Sequence, residues 1–207
     1  MVGLTGGMGS GKTLAASIFQ DFGAHILDAD LICRKLVEPG QPALKEISAT
    51  FGEKIIDKFG RLDRKKLAQV IFGDLNKKNE LENILHPRVF EVEKREYKTI
   101  CQKYPKALVI VDAALLIESR NYKEMDKVIV INTDEKTQIN RVIARSGWSH
   151  DEVVARIKNQ MPIKEKIKYA DFVLENSLDE AYLRNQVKKL YTELSLLAAE
   201  NIEKTRT

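Results

Sequence analysis

Gly6-Gly7-Met8-Gly9-Ser10-Gly11-Lys12-Thr13 constrains this 207-residue chain more than any other stretch. The segment matches G-x-x-x-x-G-K-[ST] in full. The short apolar run Val2–Thr5 precedes it. From Lys12 onward, Leu14, Ala15, Ile18, Phe19 and Phe22 recur at helix spacing until Gly23 stops them. Strand, glycine-rich loop and helix in this order form a phosphate-binding loop, or P-loop. Its glycines let backbone N–H groups turn inward around anionic oxygens, and the helix adds its positive N-terminal end. A glycine-rich turn matching by chance would lack that strand–helix context. The candidate nucleotide contacts are Gly9, Ser10, Gly11, Lys12, Thr13 and Leu14, with ATP and Mg²⁺ as the expected cofactors. Lys12 would reach the β- and γ-phosphates, and the Thr13 hydroxyl would ligate the metal.

The rest of the chain reads as an interrupted α/β pattern. Ala24–Leu27 is a short apolar strand followed by Asp28-Ala29-Asp30. From Leu31 to about Tyr104 the sequence is mostly helical with polar turns, broken at Pro39-Gly40 and Pro42 and turning at Phe59-Gly60-Arg61. Helices are predicted over Arg64–Phe72, Lys77–Leu85 and Pro87–Cys101, with His86-Pro87 suited to a helix start. Continuous apolar runs at Ala107–Asp112, Lys127–Ile131 and Asp171–Leu174 have the composition of buried parallel strands. Helices are predicted over Asp134–Ser146 and Asp151–Gln160, joined by Gly147-Trp148-Ser149, and over about Leu178 to Glu200. The last carries the stripe Leu183, Val187, Leu190, Leu194 and Leu197, expected to pack on the chain's own sheet. The expected architecture is a P-loop NTPase parallel sheet flanked by helices, formed by residues 1–30 and 105–207. A helical insertion over 31–104 is placed to cover a ligand, and a helical lid spans about 141–168.

Several charged residues are candidates for chemistry. Asp28 and Asp30 close the second strand; at two-residue spacing both would point toward the ligand crevice. One would take a proton from an attacking hydroxyl and one would hold Mg²⁺ through water. Helix capping by Asp30 is the equal alternative. Asp112 would be a further metal-side carboxylate at a strand end. Arg141 and Arg145 share a helix face and would neutralise charge on a transferring phosphoryl group. The basic residues that follow them, Arg156, Lys158, Lys164, Lys166 and Lys168, read chiefly as solvated surface.

Other classes are excluded or unsupported. The third strand leads into Asp112-Ala113-Ala114-Leu115, not the D-x-x-G of a GTPase switch, and no N-K-x-D for guanine occurs. The net charge of +4 (34 Lys and Arg against 30 Asp and Glu) suits an anionic ligand without calling for nucleic acid. Cys33 and Cys101 are far apart and His25, His86 and His150 are isolated, so reduced thiols are expected and no zinc site. The apolar run Ala107–Ile117 is too short to span a membrane. With no secretory signature, a cytoplasmic monomer or weak homo-oligomer is expected.

Together, Gly3-Leu4-Thr5 with the loop, Asp28-Ala29-Asp30, Val37-Glu38-Pro39-Gly40, Phe51-Gly52, Leu62-Asp63-Arg64, His86-Pro87, Leu115-Leu116-Ile117-Glu118, Arg141 with Arg145, Gln160 and Ala170-Asp171 with Asn176 resemble the dephospho-CoA kinase family. The likeness runs in order along nearly the whole chain. It implies phosphorylation of the ribose 3′-hydroxyl of dephospho-CoA by ATP, on a P-loop core with a helical substrate-binding domain and a lid. It further implies Asp30 as general base and Arg141 as a lid contact to ATP phosphates. Arg64, His86, Leu115, Leu116 and Glu118 would lie on the substrate side, and Asn176 on the adenine side. Ala114 stands where the family usually has proline, and Leu178 departs from its usual small residues. Another small-molecule P-loop kinase, for a nucleoside or nucleotide, is the alternative.

Overall fold

A computed structural model describes residues 1–205, with side chains through residue 199. The chain divides into two compact units: Met1–Asp28 with Glu96–Thr207, and Ala29–Arg95.

The first unit contains a five-stranded, all-parallel sheet ordered β2-β3-β1-β4-β5. Its strands are β1 (Val2–Gly6), β2 (His25–Asp28), β3 (Val109–Asp112), β4 (Lys127–Asn132) and β5 (Phe172–Glu175). Each of the five apolar runs forms a strand. The central strands are buried on both faces, which is why they read as continuous rather than alternating. Helices α1 (Lys12–Asp21), α6 (Glu135–Ser146), α7 (His150–Lys158), α8 (Ile163–Ile167) and α9 (Glu180–Thr205) complete the unit. Leu183, Val187, Leu190 and Leu194 of α9 are buried in one core with Ile18 and Phe19 of α1 and Leu4, Ile110 and Ile129 of the sheet. Burying such a side chain contributes about 1.5–3 kcal/mol. Leu197, the last of the stripe, is 37% exposed and adds little.

The second unit is helical: α2 (Ala29–Leu36), α3 (Pro42–Phe51), α4 (Arg64–Ile71) and most of α5 (Leu75–Lys103). Val37, Ile47, Ile55, Leu67 and Ile84 form its own small core. The predicted turn at Phe59–Arg61 is built by Asp57, whose carboxylate accepts the Phe59 and Arg61 N–H groups at 2.8 and 3.0 Å.

Two expectations are corrected here. Residues 77–85 and 87–101 are not separate helices, because α5 continues through Pro87. An internal proline removes one hydrogen bond and costs about 3 kcal/mol. Beside it, the Arg88 guanidinium donates to the Ile84 carbonyl and pairs with Glu46, tying this turn of α5 to α3. Asp30 is not on a strand: β2 ends at Asp28, and Asp30 lies in the first turn of α2. Between the two carboxylates the backbone changes from a two-residue to a 3.6-residue period, so the same-face argument fails.

Candidate active site

The carboxyl ends of β1, β3, β4 and β5 bring the candidate nucleotide-side residues of the first unit together. Gly9 and Gly11 have φ of +77° and +87°, a region side chains rarely adopt. A Cβ on Gly9 would stand 2.6 Å from the Gln138 carbonyl oxygen, and one on Gly11 would stand 2.0 Å from Asn176 Nδ2. No side chain caps α1 at Gly11, so its first-turn N–H groups, among them those of Lys12, Thr13 and Leu14, are open to an anion. Ser10 has a mainly structural part. Its N–H bonds the Gly7 carbonyl at 3.0 Å, and its carbonyl accepts the Asn176 amide at 2.7 Å. The Thr133 hydroxyl lies 3.0 Å from the same carbonyl oxygen.

Lys12 is ion-paired with Asp112 at the end of β3, and both are largely buried. Thr13 is exposed one residue further along α1. Asp28 stands opposite Asp112 in the β2–β3 register. The Thr13 hydroxyl and these strand-end carboxylates are all hard oxygen donors, the type Mg²⁺ takes in small number beside substrate phosphates. This donor set fits the metal.

Arg141 lies over the loop, donating from Nη1 to the Asn176 carbonyl at 2.9 Å. Its Nη1 is 3.8 Å from where a Gly11 Cβ would be. Arg145 is exposed one turn further along α6, so the two share a helix face. Asn176 is 2% exposed and its amide donates to the Ser10 carbonyl, so its side chain braces the P-loop.

The loop after β3 places its side chains in different surroundings. Leu115 is 42% exposed, as a ligand contact needs, whereas Leu116 is fully buried. Its Cδ2 would lie 2.5 Å from a Gly3 Cβ, so its side chain belongs to the core. Glu118 is engaged by the Met161 N–H at 3.1 Å and the Lys166 ammonium at 3.0 Å. Lys166 is not a surface residue: its side chain is wholly buried.

In the second unit, Asp30 and Arg64 are exposed and lie close enough to half-buried Cys33 to influence its thiol. Burial pushes that thiol up, Arg64 opposes, and Asp30 adds to the rise. Arg64 opens α4 directly after its cap, Asp63, whose carboxylate accepts the Lys65 and Lys66 N–H groups at 3.1 Å. His86 sits mid-helix in α5, its ring stacked on Phe90 at 5.9 Å. Burial holds its pKa below the usual 6.5, Glu82 opposes and Lys78 adds to the depression. An unfolded chain therefore binds the proton more readily than the folded one. Stability should fall as pH drops through 6.5, and His86→Phe should flatten that slope in denaturant titrations at pH 5 and 8.

A parallel sheet with a P-loop after its central strand, an aspartate at the end of one neighbouring strand and arginines on the helix after the other defines a P-loop kinase. The family model for dephospho-CoA kinase matches residues 1–181. The dephospho-CoA kinase of Aquifex aeolicus is 40% identical over 196 residues, covering 94% of this chain and 97% of that one. That of Shouchella clausii is 38% identical, covering 96% and 99%. Among solved structures, a Thermus thermophilus protein superposes with a TM-score of 0.80 at 32% identity, covering 93% of this chain and 96% of that one. The Campylobacter jejuni dephospho-CoA kinase gives 0.68 at 30%, covering 94% and 96%. The chain belongs to the dephospho-CoA kinase family.

Proposed function

We propose that this chain transfers the γ-phosphoryl group of ATP to the 3′-hydroxyl of dephospho-CoA, giving CoA and ADP. The observation that carries the reading is one sheet edge bearing an intact P-loop, the Lys12–Asp112 pair and Arg141, in a chain whose family match spans residues 1–181. The open N–H groups of the loop and of the first turn of α1 bind the β- and γ-phosphates. Lys12 leaves Asp112 to meet developing charge on the transferred group. Arg141, whose guanidinium already lies by Gly11, neutralises a second oxygen. Thr13 with Asp28 and Asp112 would hold Mg²⁺, which would neutralise phosphate charge there. Arg64, His86 and Leu115 are the acceptor contacts that the family resemblance implies. Asp30 takes the hydroxyl proton. Most of the acceleration is positioning and charge stabilisation, because the transition state is loose. ADP release measured with and without dephospho-CoA tests the reading; turnover that ignores the acceptor, or that needs a nucleoside instead, overturns it.

Arg141→Ala should lower kcat by about a hundredfold or more, the usual cost of one lost transition-state charge contact. Arg145→Ala should cost less, since Arg145 lies a turn further along α6. Steady-state kinetics of both variants check the order, and equal wild-type rates would make this helix face plain surface.

A further inference from the structure

The α7–α8 connector and α8 together send two side chains and one backbone amide into the active-site loops. Gln160 Oε1 accepts the Met8 N–H at 2.8 Å. That amide of the P-loop is thereby braced by protein, leaving the later N–H groups for phosphate. Six residues on, the Lys166 ammonium donates to the Ala114 carbonyl at 2.7 Å and to Glu118 at 3.0 Å. The Met161 N–H donates to the same carboxylate at 3.1 Å, and the Thr5 hydroxyl to the same Ala114 carbonyl at 3.2 Å. The loop Ala113–Glu118 is thus pinned at both ends, and between the pins it presents exposed Leu115. Burial lowers the Lys166 pKa, and nearby Lys12 pushes in the same direction against Glu118. An apolar residue would fill this interior without the desolvation cost of an ammonium, so the lysine serves position more than stability.

We propose that residues 160–166 are a positioning strut that sets two active-site loops separately: Gln160 holds the P-loop, and Lys166 holds the Leu115 loop against the acceptor. The acceptor half rests on the dephospho-CoA reading above. Neither residue touches a reacting atom. Each acts through the loop it holds, so each should affect one substrate and not the other.

The test uses the full chain and four proteins: wild type, Gln160→Ala, Lys166→Met and the double variant Lys166→Met/Glu118→Met. Gln160→Ala should weaken ATP binding by about fivefold or more, the worth of one hydrogen bond, with the acceptor KM within about threefold of wild type. Lys166→Met should raise the dephospho-CoA KM by about tenfold or more, with the ATP KM within about threefold, because small displacements of a positioning loop are costly. The double variant replaces a buried ion pair by apolar groups. It should recover the melting temperature lost by Lys166→Met but keep the raised acceptor KM, since the Ala114 carbonyl still lacks its ammonium. It also serves if the single variant fails to fold. Acceptor KM restored together with melting temperature would reduce Lys166 to a structural pair and overturn its role. Both KM values moving together in either variant would overturn the separate action of the two arms. If wild type releases no ADP with dephospho-CoA, the functional reading fails and takes the acceptor half with it. Titration of wild type and Gln160→Ala with ATP still decides the other half, and equal affinities overturn it.

Discussion

Lys12→Ala is expected to lower phosphoryl transfer by about a thousandfold or more, the upper range for losing one fixed charge at a developing anion. Lys12 opens α1, so its ammonium starts from the point where the loop's N–H groups converge. It is paired there with Asp112, and the two side chains are 15% and 8% exposed. The variant therefore has a second effect. Removing one partner of a largely buried pair typically costs stability as well. Thermal denaturation must accompany the kinetics. A folded variant with lost turnover supports the assignment, and Lys12→Ala/Asp112→Asn should regain stability without regaining activity. Near-normal turnover in a folded Lys12→Ala protein would remove the P-loop from the chemistry altogether.

The second large effect is expected at Asp30. Asp30→Asn keeps the size and polarity of the side chain but cannot take a proton. A general base typically contributes a hundred- to ten-thousandfold, and in a loose phosphoryl transfer the hydroxyl proton leaves late. The expected loss in kcat is therefore about a hundredfold, with ATP affinity unchanged. Asp28 is the control. It ends β2 opposite Asp112, on the metal side of the proposed site, so Asp28→Asn should weaken the Mg²⁺ dependence of the rate. A fully active Asp30→Asn beside a dead Asp28→Asn would move the base to Asp28. Two active variants would leave neither carboxylate as base.

The sheet was legible because a parallel strand buried on both faces can only be a short, continuous apolar run, and Ala107–Asp112 and Lys127–Ile131 are such runs. The loop was legible because its function needs glycine at fixed offsets. Legibility ended where a role depends on a tertiary partner. Lys166 looked like one lysine among several in a basic stretch; its burial depends on Ala114 and Glu118, 52 and 48 residues away. Gln160 could be matched to the family, but its bond to Met8 spans 152 residues and no spacing rule announces it. Leu115 and Leu116 are adjacent and chemically identical, yet only one is exposed. The ordinary preference of proline points to a helix start at Pro87, and nothing in the local sequence announces that α5 runs through it.

The position of β1 has a consequence for how the protein is made. β1 is the middle strand of the sheet, and its hydrogen-bonding partners begin at Val109 and Lys127. A ribosome adding about 5–20 residues per second needs roughly 6–25 s after making Val2 to finish β4. Until β3 and then β4 are made, the Val2–Gly6 segment lacks its strand partners, while the residues of α2, α3 and α4 already follow it. Closing so long a loop is entropically slow, and unpaired strand edges are where chains stick to one another. Yield of folded enzyme should therefore depend on elongation speed and on holdase chaperones more than its modest length suggests, and a circular permutant that begins at residue 105 should escape much of that dependence.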